Sequence, residues 1–130
     1  MKISATLAPA LCLALAACDQ SLSFVCPDSE QPAILLQVVD AGTQESVAAE
    51  TTGWWTVGEV TDSLRHVRRT EAVTELAAYG PSGVYQIRVL RPGHAEWTRT
   101  NVVVAESACG PATVRLTAVP APMNLADAGD

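Results

Sequence analysis

The sequence is poor in aromatic residues and lacks the motifs that catalysis or nucleotide binding requires. Aromatic residues make up 5% of the 130-residue chain and hydrophobic residues 48%, so we expect an ordered protein with an aliphatic core. It contains no GxSxG serine elbow, HExxH zinc motif, GxGxxG dinucleotide loop or GxxxxGK[ST] phosphate loop. The two histidines, His66 and His94, are too few to supply a metal site. We therefore expect a protein that is not an enzyme and that holds no metal or cofactor.

Positive charge is also scarce. The chain has 8 Lys and Arg against 14 Asp and Glu, a formal net charge of −6. The basic grouping of Arg65, Arg68 and Arg69 is typical of a solvated edge or loop, with a specific anion site as the alternative. Because nucleic-acid binding depends on clustered basic residues that neutralise phosphates, we predict that nucleic acid is not a partner.

The apolar run at the amino terminus is too short to be a permanent transmembrane helix. Even counted generously from Ile3 to Ala17 it has 15 residues, whereas a spanning helix needs about 20. Lys2 precedes the run and small residues follow it, which is the arrangement of a secretory signal peptide. We assign residues 1–17 to a signal peptide.

The end of this run resembles the lipobox of bacterial lipoproteins. Leu15-Ala16-Ala17-Cys18 has the small residues that the family's peptidase accepts before a cysteine. The resemblance implies cleavage before Cys18 and acylation of Cys18 with three chains. Because stable membrane attachment needs more than one acyl chain, such a cysteine would hold the protein at a membrane of the bacterial cell envelope. Asp19 matches an inner-membrane retention signal of enterobacteria, but inner and outer membrane both remain open. The alternative is an ordinary signal peptide with an incidental cysteine.

With Cys18 acylated, the other cysteines leave one candidate pair. Cys12 falls in the predicted signal peptide, so Cys26 and Cys109 remain. Export places them in an oxidising compartment, and we predict a disulfide between them. A metal or redox site is the alternative, but the spacing forms neither a CxxC nor a zinc-knuckle pattern.

The rest of the chain divides into three parts. Residues 18–31 are polar and aperiodic, which predicts a lipidated tether. Residues 32–119 form the predicted folded unit, and residues 120–130, which begin with Pro120-Ala121-Pro122, are expected to be a frayed, disordered tail.

Two-residue alternation predicts strands through the folded unit. The predicted strand faces are Ile34, Leu36 and Val38; Tyr85, Ile87 and Val89; Thr98, Thr100, Val102 and Val104; and Val114, Leu116 and Ala118. Further strands are expected at 46–50 and within 52–60, and Pro92-Gly93 suits a type II turn. For residues 61–79 we favour a short strand from Ala72 to Tyr79 after a polar loop, with a helix capped by Asp62 as the alternative. We expect Ile87, Val89, Val102, Val104 and Leu116 to be buried together.

Short strands separated by Gly/Pro turns predict one antiparallel β-sandwich. The segments "VVDAGTQESV", "GPSGVYQIRVLRPGH" and "NVVVAESACGPATVRLTAVP" resemble the bacterial carboxypeptidase regulatory-like domains. The resemblance implies a Greek-key-type, prealbumin-like (transthyretin-like) sandwich of about seven strands. That family's marks are a "D..TG.PV" turn and a "G.Y.V.V..PGY" hairpin. The sequence departs from them at Gln44-Glu45-Ser46 and at His94. The resemblance implies an accessory domain without a catalytic centre.

The sequence "GWWT" contains the strongest candidates for ligand contact. Adjacent strand residues point to opposite faces, so Trp54 and Trp55 are not both expected in one core unless a bulge intervenes. An exposed tryptophan can stack on a sugar or on a partner's side chain. We expect a non-catalytic interaction or scaffolding module whose partner is another envelope protein or a glycan. Carbohydrate binding through Trp54 or Trp55 and an accessory role to an envelope enzyme are the alternatives.

Overall fold

The computed structural model describes residues 25–123, which form β-strands and one short 3₁₀ turn. The strands are β1 (Ile34–Val38), β2 (Thr52–Val57), β3 (Val60–Ser63), β4 (Arg65–Arg69), β5 (Ala72–Ala78), β6 (Gly83–Leu90), β7 (Trp97–Val104), β8 (Glu106–Ser107), β9 (Gly110–Pro111) and β10 (Val114–Ala118). The predicted all-β class is confirmed. The predicted signal peptide and Cys18 lie outside the described residues.

Eight of these strands form two four-stranded sheets. The order is β10-β1-β5-β4 in the first sheet and β3-β2-β6-β7 in the second, while β8 and β9 form a separate small hairpin. Neighbouring strands are antiparallel except β1 and β10, which pair in parallel. The Cys26–Cys109 disulfide joins the two segments that lead into this parallel pair of strands. Both strands therefore enter the sheet from the same end.

The two sheets share one hydrophobic core. β1 and β6 supply its centre through alternate residues, all of them nearly or fully buried: Ile34, Leu36, Val38, Tyr85, Ile87 and Val89. Burying one apolar side chain of this size contributes about 1.5–3 kcal/mol, so these alternate residues contribute strongly to the fold's stability. Of the five residues predicted to be buried together, four are buried, and Leu116 is partly buried because β10 is an edge strand.

The strand predicted over residues 46–50 is absent. Asp40 accepts hydrogen bonds from the amides of Gly42 and Thr43, both at 2.9 Å, and Gln44 has a positive φ of 62°, so the chain turns sharply after β1. The backbone of Ser46 pairs with Val39 in an isolated bridge, and its hydroxyl donates a 3.2 Å hydrogen bond to the Thr74 carbonyl. Residues 48–50 then form the 3₁₀ turn. This segment carries the chain from the first sheet to the second, and a crossing segment cannot pair along either sheet.

Residues 61–79 contain more strand than we predicted. The strand favoured for Ala72 to Tyr79 is confirmed as β5, and the helical alternative is wrong. The expected polar loop is instead β3 and β4, which belong to different sheets. Leu64 connects them: its side chain is buried, and its amide donates a 2.8 Å hydrogen bond to the Gly53 carbonyl.

The predicted disulfide between Cys26 and Cys109 is present, with a Cα–Cα distance of 5.2 Å. It fastens the segment before β1 to the turn between β8 and β9. At the other terminus, residues 120–123 do not have the frayed form that we expected. Pro120 is fully buried, and the Met123 amide donates a 3.0 Å hydrogen bond to the Gly93 carbonyl. This part of the predicted tail packs against the β6–β7 turn.

Candidate ligand-binding face

The two adjacent tryptophans of β2 lie on opposite sides of the second sheet. Trp55 is 3% exposed and belongs to the core, whereas Trp54 is 39% exposed. No bulge interrupts β2 between them, because both residues keep consecutive register partners in β3 and β6. The alternation predicted from the sequence is therefore realised, and one large aromatic side chain is left available on the outside.

Trp55 has a packing role. Its ring lies 5.5 Å from that of Tyr85, centroid to centroid, with the planes inclined at 41°. The Tyr85 hydroxyl donates a 2.5 Å hydrogen bond to the Pro81 carbonyl, and burial raises the pKa of this phenol above its usual value. Gly80 lies against both side chains, since a Cβ at this position would come within 2.6 Å of the Tyr85 hydroxyl oxygen and of the Trp55 ring. Trp55 is thus enclosed by packed groups and is not a ligand contact.

Trp54 lies on a surface made mostly of polar, uncharged side chains. We call the part of the second sheet's outward surface around Trp54 the Trp54 face; it comprises Thr52, Trp54, Thr56, Thr61, Ser63, Gln86, Arg88 and Thr98. Beyond it, the same outward surface carries the exposed apolar side chains of Val84, Leu90 and Val103. Trp54 is paired with Ser63 on one side and with Arg88 on the other. The hydroxyls of Thr56 and Thr61 are 3.0 Å apart and share one hydrogen bond.

The charged groups next to Trp54 neutralise each other. The Arg88 guanidinium donates a hydrogen bond to the Glu96 carboxylate and forms an ion pair with it. This hydrogen bond raises the pKa of Arg88 and lowers that of Glu96. The pair is largely exposed, so its contribution to stability is small. Its effect on the Trp54 face is to leave the surroundings of the indole close to electrically neutral.

A bulge in β7 shapes the far side of this face. Tyr85 pairs with Val102 and Ile87 pairs with Arg99, so β7 has one residue more than β6 over this stretch. Asn101 has a φ of 57°, a left-handed conformation that asparagine tolerates better than most residues. Our prediction that Thr98 and Thr100 share the buried face of Val102 and Val104 is therefore wrong, since the extra residue reverses the alternation and both threonines are exposed.

The bulge borders a shallow depression of about 340 Å³. It is lined by Thr56, Gly58, Val84, Tyr85, Gln86, Thr100 and Asn101. Its volume falls at the lower end of the range of about 300–1,000 Å³ that is usual for small-ligand sites. The depression adjoins Trp54 along β2, because Thr56 is the next outward residue of that strand.

Both histidines take part in structural hydrogen bonds. His66 donates through Nε2 to the Thr51 carbonyl at 2.9 Å. His94 donates through Nδ1 to the Pro92 carbonyl at 2.9 Å and accepts at Nε2 from Arg91 at 3.0 Å. Within residues 25–123 no group of three or more His, Cys, Asp and Glu side chains is arranged to hold a metal ion.

Arg91 links the ends of the two sheets. Its guanidinium donates to Asp40 at 2.9 Å and to Glu50 at 3.4 Å, and its side chain is only 11% exposed. The hydrogen bond from Arg91, followed by those from the amides of Thr43 and Gly42, holds the pKa of Asp40 well below its usual range. This cluster is not recognisable from the sequence, because Asp40 and Arg91 are 51 residues apart.

The three predicted edge arginines do lie on an edge strand, β4. Arg65 lies over the Tyr79 ring at 5.0 Å, and Arg69 donates a 2.8 Å hydrogen bond to the buried Glu75. Arg65 and Arg69 thus have partners within the protein, and neither contact requires a bound anion. In the part of the chain that is described, no helix is long and apolar enough to cross a membrane.

Residues Gln86, Thr100 and Asn101 were not recognised as candidates from the sequence. Asn101 is the one sequence signal for this site. Asparagine is disfavoured inside strands and tolerates a positive φ, so its presence within a predicted strand indicates a bulge. Comparison with known proteins adds no functional assignment: neither a family model nor a curated protein matches this chain.

Proposed function

We propose that this protein is a membrane-anchored lipoprotein of the bacterial cell envelope whose all-β body is a non-catalytic interaction or scaffolding module. The observation that carries the binding part of this proposal is Trp54, a large aromatic side chain left 39% exposed on an ordered, nearly neutral sheet face. Aromatic side chains are enriched where proteins meet their partners. The anchoring part rests on the lipobox resemblance at Leu15–Cys18.

The disulfide fits a tethering role. Cys26 lies eight positions after Cys18, and there the bridge ties the chain to the β8–β9 turn. Such a segment spans about 28 Å when fully extended. An acylated Cys18 would therefore hold the β8–β9 end of the body within that distance of the bilayer, whereas the chain without the bridge would reach further.

We also propose that the body is a Greek-key sandwich of the carboxypeptidase regulatory-like, prealbumin-like type. Two turns support this. In the family's "D..TG.PV" pattern, counted from Asp40, the glycine falls at residue 44, and Gln44 has the positive φ of 62° that glycine would favour. In the hairpin, Gly93 has a φ of 75° and the His94 amide donates to the Arg91 carbonyl at 3.0 Å, which fits the predicted type II turn.

A second candidate function is carbohydrate binding, and the separation of the two tryptophans favours it. Trp55 is enclosed by Tyr85 and Gly80, so it supports the sheet from within. Trp54 presents an apolar ring beside the hydroxyl of Ser63 and on the same face as those of Thr56 and Thr98. An apolar platform with hydroxyl and amide groups around it suits a sugar, whose ring faces are apolar and whose rim carries hydroxyls.

The anchoring proposal can be tested by fractionating bacteria that express the full chain with a clickable palmitate analogue in the medium. We expect the wild-type protein in the membrane fraction and labelled, and Cys18→Ser unlabelled. Cys12→Ser is the matched control, since this cysteine lies in the predicted signal peptide and should not alter labelling. Equal labelling of the Cys18→Ser protein, or a wild-type protein that is soluble and unlabelled, contradicts the proposal.

A further inference from the structure

The depression beside Asn101 has features of a binding site that the packing of the sheet does not require. Packing explains why β7 bulges, because the extra residue brings Trp97 into register with the buried Val89 and lets it pack against the core. It does not explain why the outward lining combines Gln86, Thr100 and Asn101, whose side chains contribute nothing to the core. Bulges commonly re-aim side chains near functional sites.

The lining offers hydrogen bonds in both directions and no charge. Gln86 and Asn101 each carry an amide with two donor hydrogens and an acceptor oxygen, and the hydroxyls of Thr56 and Thr100 both donate and accept. Val84 adds an apolar wall. The nearest ion pair on the Trp54 face, Arg88 with Glu96, is internally compensated. An uncharged ligand rich in hydroxyl groups fits this chemistry better than an anion or a cation does.

The depression and Trp54 form one continuous surface. Thr56 lines the depression and is the next outward residue after Trp54 on β2, a separation of about 6.6 Å along a strand. On β6, Gln86 and Arg88 repeat this spacing beside Thr56 and Trp54. A chain ligand that stacks one ring on the indole can therefore place a neighbouring ring over the amides.

We propose that the depression lined by Thr56, Gln86, Thr100 and Asn101 is a sugar subsite, and that it binds one ring of a neutral glycan whose adjacent ring stacks on Trp54. The inference rests on carbohydrate binding, the second candidate function. Trp54 supplies an apolar contact that does not depend on which sugar is bound. The two amides supply specificity, because a sugar that cannot pair with them leaves their hydrogen bonds unmade.

The test uses the full acylated chain, purified in nonionic detergent, and three neutral probes: cellohexaose, maltohexaose and chitohexaose. Hexagalacturonate serves as an anionic probe. Binding is measured by isothermal titration calorimetry and mapped by amide chemical shifts. We expect at least one neutral hexamer to bind and to shift the amide signals of Gln86 and Asn101, with hexagalacturonate binding more weakly.

The variants separate the subsite from the aromatic platform. Asn101→Gly keeps a residue that adopts positive φ while it removes the side-chain amide, and Gln86→Ala removes the second amide. Each should weaken binding about 10-fold, since losing a hydrogen-bond partner in a bound complex costs on the order of one power of ten. Trp54→Ala should weaken binding at least as much. Leu90→Ala is the matched control, because Leu90 is 38% exposed and Trp54 is 39% exposed, and both are outward residues of the second sheet.

Each outcome decides the inference. Loss of affinity in Trp54→Ala, Gln86→Ala and Asn101→Gly but not in Leu90→Ala supports it. Weakening by Trp54→Ala alone overturns the subsite and leaves carbohydrate binding standing. Tighter binding of hexagalacturonate than of any neutral hexamer overturns the choice of a neutral ligand. If no neutral hexamer binds the wild-type protein, carbohydrate binding and the subsite both fail, whereas the lipid anchor is tested separately by labelling at Cys18.

Discussion

Removing the Cys26–Cys109 bridge should cost this fold a large share of its stability. The bridge joins residues 83 positions apart and closes a loop that contains β1 to β8. In the chain-entropy model, a loop of this length lowers the entropy of the unfolded chain by about 15 cal/mol/K, which is about 4.5 kcal/mol at 25 °C. A domain of ordinary size has a total unfolding free energy of about 5–15 kcal/mol. The bridge thus contributes a substantial fraction of the total.

The assay is urea unfolding of the double variant Cys26→Ser/Cys109→Ser, followed by circular dichroism. Ser107→Ala is the matched control, since it removes a 2.6 Å hydrogen bond to the Gly110 carbonyl within the same hairpin and leaves the cross-link intact. We expect the control to lose about 1 kcal/mol of unfolding free energy and the double variant several times more. A loss in the double variant no larger than that of Ser107→Ala would refute the entropic argument.

Three further predictions follow from particular contacts. Trp55→Ala should lower the free energy of unfolding by about 3–5 kcal/mol, because it opens a cavity beside Tyr85. Trp54→Ala should change the same quantity by about 1 kcal/mol or less, because Trp54 is an exposed residue. Similar losses for the two variants in urea titrations would contradict the assignment of the two faces. Gly53→Ala should destabilise the fold by about 1–3 kcal/mol, since the new Cβ would lie 2.5 Å from the Arg88 carbonyl oxygen. An unchanged melting temperature would contradict this and would show that β2 and β6 can move apart at this position. The pKa of Asp40 is depressed in the folded state, so its contribution is present above its ordinary pKa of about 3.9 and is lost as the pH falls through and below that value. Between about pH 5 and pH 2, the stability of Asp40→Asn should therefore fall less steeply than that of the wild type, and parallel curves would contradict this.

The strands with regular alternation were predictable from sequence because local periodicity determines which side chains are buried. β6 is the clearest case: Tyr85, Ile87 and Val89 were placed on one face, and the structure buries all three. The disulfide was also predictable, since Cys12 falls in the predicted signal peptide and Cys18 is the predicted acylation site, which leaves Cys26 and Cys109. For the strand, the alternation of apolar residues carries the information, and for the disulfide it is the small number of cysteines.

Features that depend on distant partners were not predictable. The alternation of β7 is broken by one residue at Asn101, and the sequence around it still reads as a continuous strand. The parallel pairing of β10 with β1 depends on where a strand 80 residues later enters the sheet, as their partners Ile34 and Val114 show. The candidate site was predicted at Trp54 but not at Gln86 and Asn101. The asparagine inside a strand indicates a bulge, but which residues the bulge brings together depends on the register between β6 and β7.

The most direct test of the account is an intact-mass measurement of the native protein purified from bacterial envelopes, followed by fragmentation of its amino-terminal peptide. We expect a chain that begins at Cys18, with the mass of a diacylglyceryl group and an amide-linked acyl chain on that residue. A chain that begins elsewhere, or an unmodified Cys18, would contradict the proposal that this all-β body is held at a membrane by its amino terminus.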